Sequence, residues 1–270
     1  MPRALTSKIK SVRAVDRAID ILKCFSVEKP SMSVVEIQKK VRLSRPTLYR
    51  LLHTLAKSGL VRADGDPQRF ALDHGVAKLG QIWMSALDMT SVSKPIVTRL
   101  RDLTGETAAL YILRGNLRTC ILEMTSQHIL SITQEVGRSE HVGRGASGKA
   151  ILAFMSEESA ALAVQGLPQG MDRKRLLEDV AKIRKNGFAV SRGELVVGAV
   201  AVAAPFFDHS GGVAGSIRVA GPQARINEDW ISRSAKLLVA GASELSVALG
   251  STALGQSKAR ATVSAVTSKR

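Results

Sequence analysis

The stretch Gly143-Arg144-Gly145-Ala146-Ser147-Gly148-Lys149-Ala150 comes nearer to a chemical motif than any other in this 270-residue chain. It reads G-x-x-x-x-G-K, the loop that cradles phosphates with backbone N–H groups and a lysine. Ala150 stands where the Ser or Thr that holds magnesium belongs, so the metal would lack a protein ligand. The polar pair Glu140-His141 also makes a poor strand before the loop. An enzyme that binds or hydrolyses a nucleotide at Gly143–Ala150 is therefore the alternative reading. The same residues suit a carboxylate better. Small residues running into a helix expose N–H groups at the positive end of its dipole, and Ala146, Ser147 and Gly148 are the candidates. A plainer explanation is that they only let a helix pack closely on a sheet.

Other catalytic constellations are thin. His53, His74, His128, His141 and His209 show no metal-ligand spacing. Ser147 beside Lys149 is not S-x-x-K, Gly-Ala-Ser-Gly is not a nucleophile elbow, and no paired carboxylates stand out. No catalytic residue, metal or cofactor is expected.

A second group of side chains suits nucleic acid. Arg45, Thr47, Tyr49, Arg50 and His53 lie off the apolar stripe Leu48, Leu51, Leu52 and Leu55 of one amphipathic segment. Arginine at such positions can contact phosphate or guanine edges, and Thr47 a phosphate or a thymine methyl. The alternative is a helical hairpin with a solvated basic face.

These side chains need particular elements to present them. Ser44 is an N-cap candidate, and Pro46 falls in the first turn, where its missing N–H costs nothing. Before it, Ser31 and Ser33 signal the start of a shorter helix with Val34, Ile37 and Val41 on one face, and Arg42-Leu43 makes a tight turn. Earlier still, a helix capped by Ser11 and ending before Lys29-Pro30 would bury Val12, Val15, Ile19, Leu22 and Phe25. After the third helix, residues 60–63 and 69–72 flank Asp64-Gly65-Asp66-Pro67, a hairpin turn signal. Helix-turn-helix followed by hairpin is the grammar of a winged helix, with Arg62 and Arg69 able to lie along phosphates.

Charge supports this. The formal net charge is +16, which argues for a polyanionic partner. The first ninety residues carry 16 Lys or Arg against 8 Asp or Glu, whereas residues 91–250 carry 19 against 15. A basic RNA-binding protein is a further possibility, but aromatics make up 4% of the chain and no single-strand stacking platform is visible. No apolar run reaches the roughly 18 residues of a membrane span, and residues 1–13 lack the features of a secretory signal. Cys24 and Cys120 lie inside apolar patterns, as buried thiols of a reducing compartment do. A soluble cytoplasmic protein is expected.

The helix at 74–87, with Val76, Leu79, Ile82, Trp83, Ala86 and Leu87, either joins two domains and packs against its own copy or is an ordinary intradomain helix. From Thr90 the pattern changes. A helix at 91–103 precedes strands at 107–113, 118–125 and 129–133, then a loop and helix at 143–155, a helix at 172–186, strands near 199–207 and 213–220, and a helix at 227–249. Hairpin-linked strands with helices grouped at the ends describe an α+β antiparallel-sheet domain. The tail 251–270 is basic, poor in apolar residues and expected to be disordered, like residues 1–10.

The chain resembles the IclR family of bacterial transcriptional regulators from about Ser11 to Leu249. The resemblance rests on residues 12–25, the run Leu43–Leu55, residues 146–153, Asn186-Gly187-Phe188-Ala189-Val190, residues 202–208 and Val219-Ala220-Gly221-Pro222. It implies a two-domain fold. An all-α winged helix-turn-helix with a small β-wing (11–73) and a linker helix (74–89) would precede an α+β antiparallel-sheet, GAF-like effector-binding domain (90–250). It also implies a homodimer or homotetramer on double-stranded operator DNA, controlled by a small-molecule effector, often an organic acid. The DNA-binding residues would be Ser44, Arg45, Pro46, Thr47, Tyr49, Arg50, His53, Arg62 and Arg69. The effector-binding residues would be Ile129, Ala146, Ser147, Gly148, Ser191, Ala201, Arg218 and Ala220. The family's common acidic residue falls at Ser191, a frequent Cys at Ala201, and two positions that are often small and hydroxylated at Arg218 and Ala220. These departures make the pocket less acidic and more cationic, which favours an anionic effector.

Overall fold

The structure, a computed structural model, describes residues 11–26, 28–86 and 88–251; for 81 and 83–86 it describes the backbone alone. The tail expected to be disordered lies outside the described residues beyond Ser251, as do residues 1–10 and the side chains of Trp83, Ala86 and Leu87. The chain divides into two compact units, Met1–Leu87 and Asp88–Arg270.

In the first unit, α1 spans Arg13–Leu22. Ser11 does not cap it; its hydroxyl donates to Asp16 at 2.6 Å, and Val12 holds the N-cap position. Val12, Val15 and Ile19, expected in the core, are 65%, 54% and 42% exposed. The helix stops at Leu22 and turns a different stripe inward, with Ile21 and Cys24 buried and Ala18, Leu22 and Phe25 packed beside them. An unanticipated strand, β1 (Ser31–Ser33), leads into α2 (Val34–Val41). Ser33 and Glu36 form a reciprocal capping box: the Glu36 N–H donates to the Ser33 hydroxyl and the Ser33 N–H to the Glu36 carboxylate. Arg42 then adopts a left-handed φ of 52° and turns the chain into α3 (Arg45–Lys57).

Leu48, Leu52 and Leu55 of α3 are buried with Ile21, Met32, Ile37, Val61 and Phe70 in one core, while Leu51 is only half-buried. The hairpin is β2 (Val61–Asp64) and β3 (Arg69–Leu72), and β1 adds to the other side of β3 with Met32 opposite Phe70. The wing is thus one strand wider than its sequence signals. α4 runs from His74 to Ala86 and exposes Leu79 and Ile82.

The second unit opens with α5 (Met89–Thr104), capped by Asp88, which accepts from the Thr90 N–H. Then come β4 (Thr107–Arg114), β5 (Leu117–Met124), β6 (Ser139–His141), α6 (Gly145–Leu152), α7 (Glu157–Gln165), α8 (Arg173–Asn186), β7 (Ala189–Arg192), β8 (Ala199–Phe207), β9 (Val213–Pro222) and α9 (Glu228–Ala248). The strands form one sheet in the order β6-β5-β4-β9-β8-β7, each pair antiparallel. Alternation along each strand sorts side chains to two faces. Leu110, Ile217 and Val202 share the face packed by α5 and α9. Ala189, Ala203 and Leu113 share the other with α6. Among the described residues no helix is long and apolar enough to cross a membrane.

Two expectations need correction. Residues 129–133 are not a strand, because other groups satisfy the backbone around them. Leu130 C=O accepts from Arg225 at 2.7 Å, and the Gln134 N–H donates to Glu123 at 2.8 Å. Conversely, the polar pair Glu140-His141 does belong to a strand, since β6 pairs with the edge of β5, His141 opposite Leu117.

Candidate functional site

Helix α3 presents a polar face. Ser44, Arg45, Pro46, Tyr49, Arg50 and His53 are exposed and Thr47 is half-buried, while the leucines anchor the opposite side. Ser44 stands at the N-cap, but its hydroxyl pairs with that of Thr47 at 2.9 Å rather than with a backbone N–H. No acidic side chain lies in the first turn of α3, so its positive end and Arg45 and Arg50 add in sign. On the wing, Arg62 is exposed and touches Asp64 at 2.8 Å. Arg69 is more committed, donating to the Ser31 carbonyl at 2.9 Å and to Glu36 at 3.3 Å. It ties β3 to β1 and to the start of α2.

In the second unit, Lys149 does not face an open phosphate cradle. It is buried on α6 and donates to Asp179 at 3.0 Å and Glu194 at 2.5 Å. The other oxygen of Glu194 accepts the Gly145 N–H at 3.1 Å. Gly148 answers to packing: a Cβ there would come within 2.7 Å of the Val142 carbonyl oxygen.

Above the sheet, at the start of α6, lies a cavity of about 20 Å³. Ala146, Ser147, Ser191, Ala201, Arg218 and Ala220 all line it. Gly148 does not, and Ile129 is fully exposed on the segment that fails to form a strand. Ile132, Gln134, the loop residues Glu194, Leu195 and Val196, and Ala199 complete the lining, and sequence reasoning did not select them as ligand contacts.

Beneath the cavity, Tyr111 of β4 is fully buried, and its hydroxyl donates to Gln134 at 2.8 Å. Burial pushes the phenol up to about 12 despite the neighbouring cations of Arg218 and Arg118. Both guanidinium groups stack on its ring, Arg118 at 4.5 Å from the centroid and Arg218 at 5.2 Å. Among the described residues, Nε and Nη2 of both arginines and Oγ of Ser147 are buried without a hydrogen-bond partner. Glu123 lies 3.8 Å from Arg218. Desolvation raises the Glu123 pKa, against the opposing pull of the Gln134 N–H and Arg218. Arg118 escaped the sequence reading because a basic residue in an alternating strand reads as solvent-facing.

Two family models match the chain. One, described as the IclR helix-turn-helix domain, matches residues 14–65; the other, described as bacterial transcriptional regulator IclR C-terminal, matches residues 81–247. The HTH-type transcriptional repressor AllR of Escherichia coli strain K12 is 29% identical over 248 residues, covering 89% of this chain and 92% of that protein. The HTH-type transcriptional regulator BhcR of Paracoccus denitrificans is 28% identical over 246 residues, covering 87% and 86%. The crystal structure of Pseudomonas aeruginosa HmgR superimposes with a TM-score of 0.75 at 23% identity, over 90% of this chain and 100% of that one, a likeness of fold.

Proposed function

The chain belongs to the IclR family of bacterial transcriptional regulators, and from that premise we propose that it binds a specific DNA operator under the control of a small anionic metabolite. The observation that carries the metabolite reading is the set of buried, unpartnered donors on Ser147 and Arg218 around one cavity. A buried polar group without a partner is costly, so such a set calls for an acceptor from outside the chain. The start of α6 adds N–H groups that a helix leaves unsatisfied. The effector-binding residues of this reading are Ala146, Ser147, Ser191, Ala201, Arg218 and Ala220.

For DNA, the reading uses Ser44, Arg45, Pro46, Thr47, Tyr49, Arg50 and His53 of α3 in a major groove, and Arg62 of the wing on phosphates. Arg69 holds the wing in shape and adds charge to it. Residues 11–73 serve as the DNA-binding domain, 74–89 as linker and 90–250 as effector domain, working as a homodimer or homotetramer in the cytoplasm. The enzyme alternative finds no support in Lys149, whose charge is spent on Asp179 and Glu194, and the family and the relatives matched are transcriptional regulators.

The test is a mobility shift on the intergenic DNA flanking the gene, at several salt concentrations, with and without a panel of carboxylic acids. A sequence-specific complex that one acid strengthens or releases supports the reading. Binding without sequence preference at every salt concentration, or a complex that no acid alters, overturns it.

A further inference from the structure

Arg218 lines the proposed effector cavity, and a second buried arginine, Arg118, lies outside that lining but close to it. Arg118 projects from β5 opposite Leu113, and Arg218 from β9 opposite Ala109, towards opposite ends of β4. Their relative exposures are 1% and 4%. A guanidinium keeps its proton in a folded protein, so burial leaves both charged. Arg218 has Glu123 as a distant counter-ion, whereas among the described residues Arg118 has no carboxylate within ion-pair distance. The ring of Tyr111 compensates such a charge only in part.

Position links the two arginines to the same helix end. Arg118 Nη2 lies 3.7 Å from where a Cβ would sit on Gly145, the first residue of α6, and Ser147 and Arg218 line the cavity two residues along. That helix end already takes a carboxylate, since Glu194 accepts the Gly145 N–H. We infer that the effector is a dianion, a short dicarboxylate, with one acid group at the start of α6 between Ser147 and Arg118 and the other on Arg218. This rests on the reading of the cavity as an effector site and adds the number of charges and a further binding residue, Arg118. Two guanidinium groups on one ring are close enough for both acid groups of one short diacid, and each can offer the paired donors that suit a carboxylate.

Calorimetry on the full chain with malonate, succinate and glutarate, each against its monoacid of equal length (propionate, butyrate, valerate), tests this. At least one diacid is expected to bind ten-fold or more tightly than its matched monoacid. R118M and R218M should each erase that difference. In addition, R118M should melt at or above the wild-type temperature, because it removes a buried charge that, among the described residues, has no carboxylate within ion-pair distance and that the Tyr111 ring offsets only in part; a merely structural arginine would lower it. Should R118M fail to fold, R118K decides, since keeping the charge must keep the preference for the diacid. Equal binding of diacids and monoacids, or an R118M that retains the preference, overturns the dianion while leaving an anionic effector standing. If no acid binds at all, the effector reading of the cavity falls with it.

Discussion

Lys149 holds Glu194 across 2.5 Å, so the loop after β7 is latched to the helix that opens the cavity. The lysine side chain is buried, while Asp179 and Glu194 are about one-third exposed (32% and 35%). Replacing Lys149 with Met should therefore destabilise the protein by about 1–2 kcal/mol, less than a fully buried pair, because water screens the two acids it abandons. Denaturant unfolding of the full chain measures this. A stability equal to wild type would mean that the latch contributes nothing.

Arg45 and Arg50 stand on the exposed face of α3, away from the leucine core. Arg45→Ala and Arg50→Ala should each weaken operator binding while circular dichroism and melting stay near wild type. Where a base is read, the loss is about 1–3 kcal/mol with relaxed specificity at one position. Undiminished affinity in both variants would place the DNA on another face.

The two wing arginines should separate. Arg62→Ala is expected to weaken all DNA sequences about equally and to lower the salt slope by about one unit, as loss of a phosphate contact does. Arg69→Ala should also lower the melting temperature, because it cuts the tie from β3 to Ser31 and Glu36. Identical thermal behaviour of the two variants would contradict that division.

Glu36 gives the first unit an acid-sensitive joint. Its pKa falls from 4.5 to about 2, first through the bond from Lys29, then through the Ser33 N–H and hydroxyl. A carboxylate depressed in the folded state stabilises it above the unfolded pKa, and that stability drains away as pH falls from about 4.5 through about 2. Glu36→Gln should be less stable at neutral pH and should flatten the loss over that acid range. Unfolding curves at pH 7, 4.5 and 3 check both signs.

Local signals made much of the first unit legible. Ser44 and Pro46 marked the start of α3, and Asp64-Gly65 marked the hairpin. Strands β1, β6 and β7, only three or four residues each, carry no period long enough to read, and exist because a neighbouring edge pairs with them. On α1 the periodicity is plain, but which stripe turns inward depends on where α3 lies, and the pattern alone does not show that Val12, Val15 and Ile19 face out. In the pocket, six expected residues do converge: Ser191, Ala201, Arg218 and Ala220 sit on β7, β8 and β9, and Ala146 and Ser147 come from the start of α6 above them. Ile129 does not: it points to solvent, while Ile132 of the same segment reaches the cavity. Arg118 was illegible for the reason that makes it informative: only the covering helix turns a strand arginine into a buried one.

Leu195 and Val196 close a space that holds about one water, and Gly193 and Gly198, both with positive φ, stand on either side of them. If the cavity takes the proposed organic acid, the acid cannot be admitted until that segment swings aside. Capture is then timed by the protein and not by diffusion. In stopped-flow mixing the observed rate should climb with acid concentration and level off at the opening frequency of the loop. Gly193→Ala or Gly198→Ala, which puts a side chain on a left-handed backbone and so strains the closed segment, should shift that plateau.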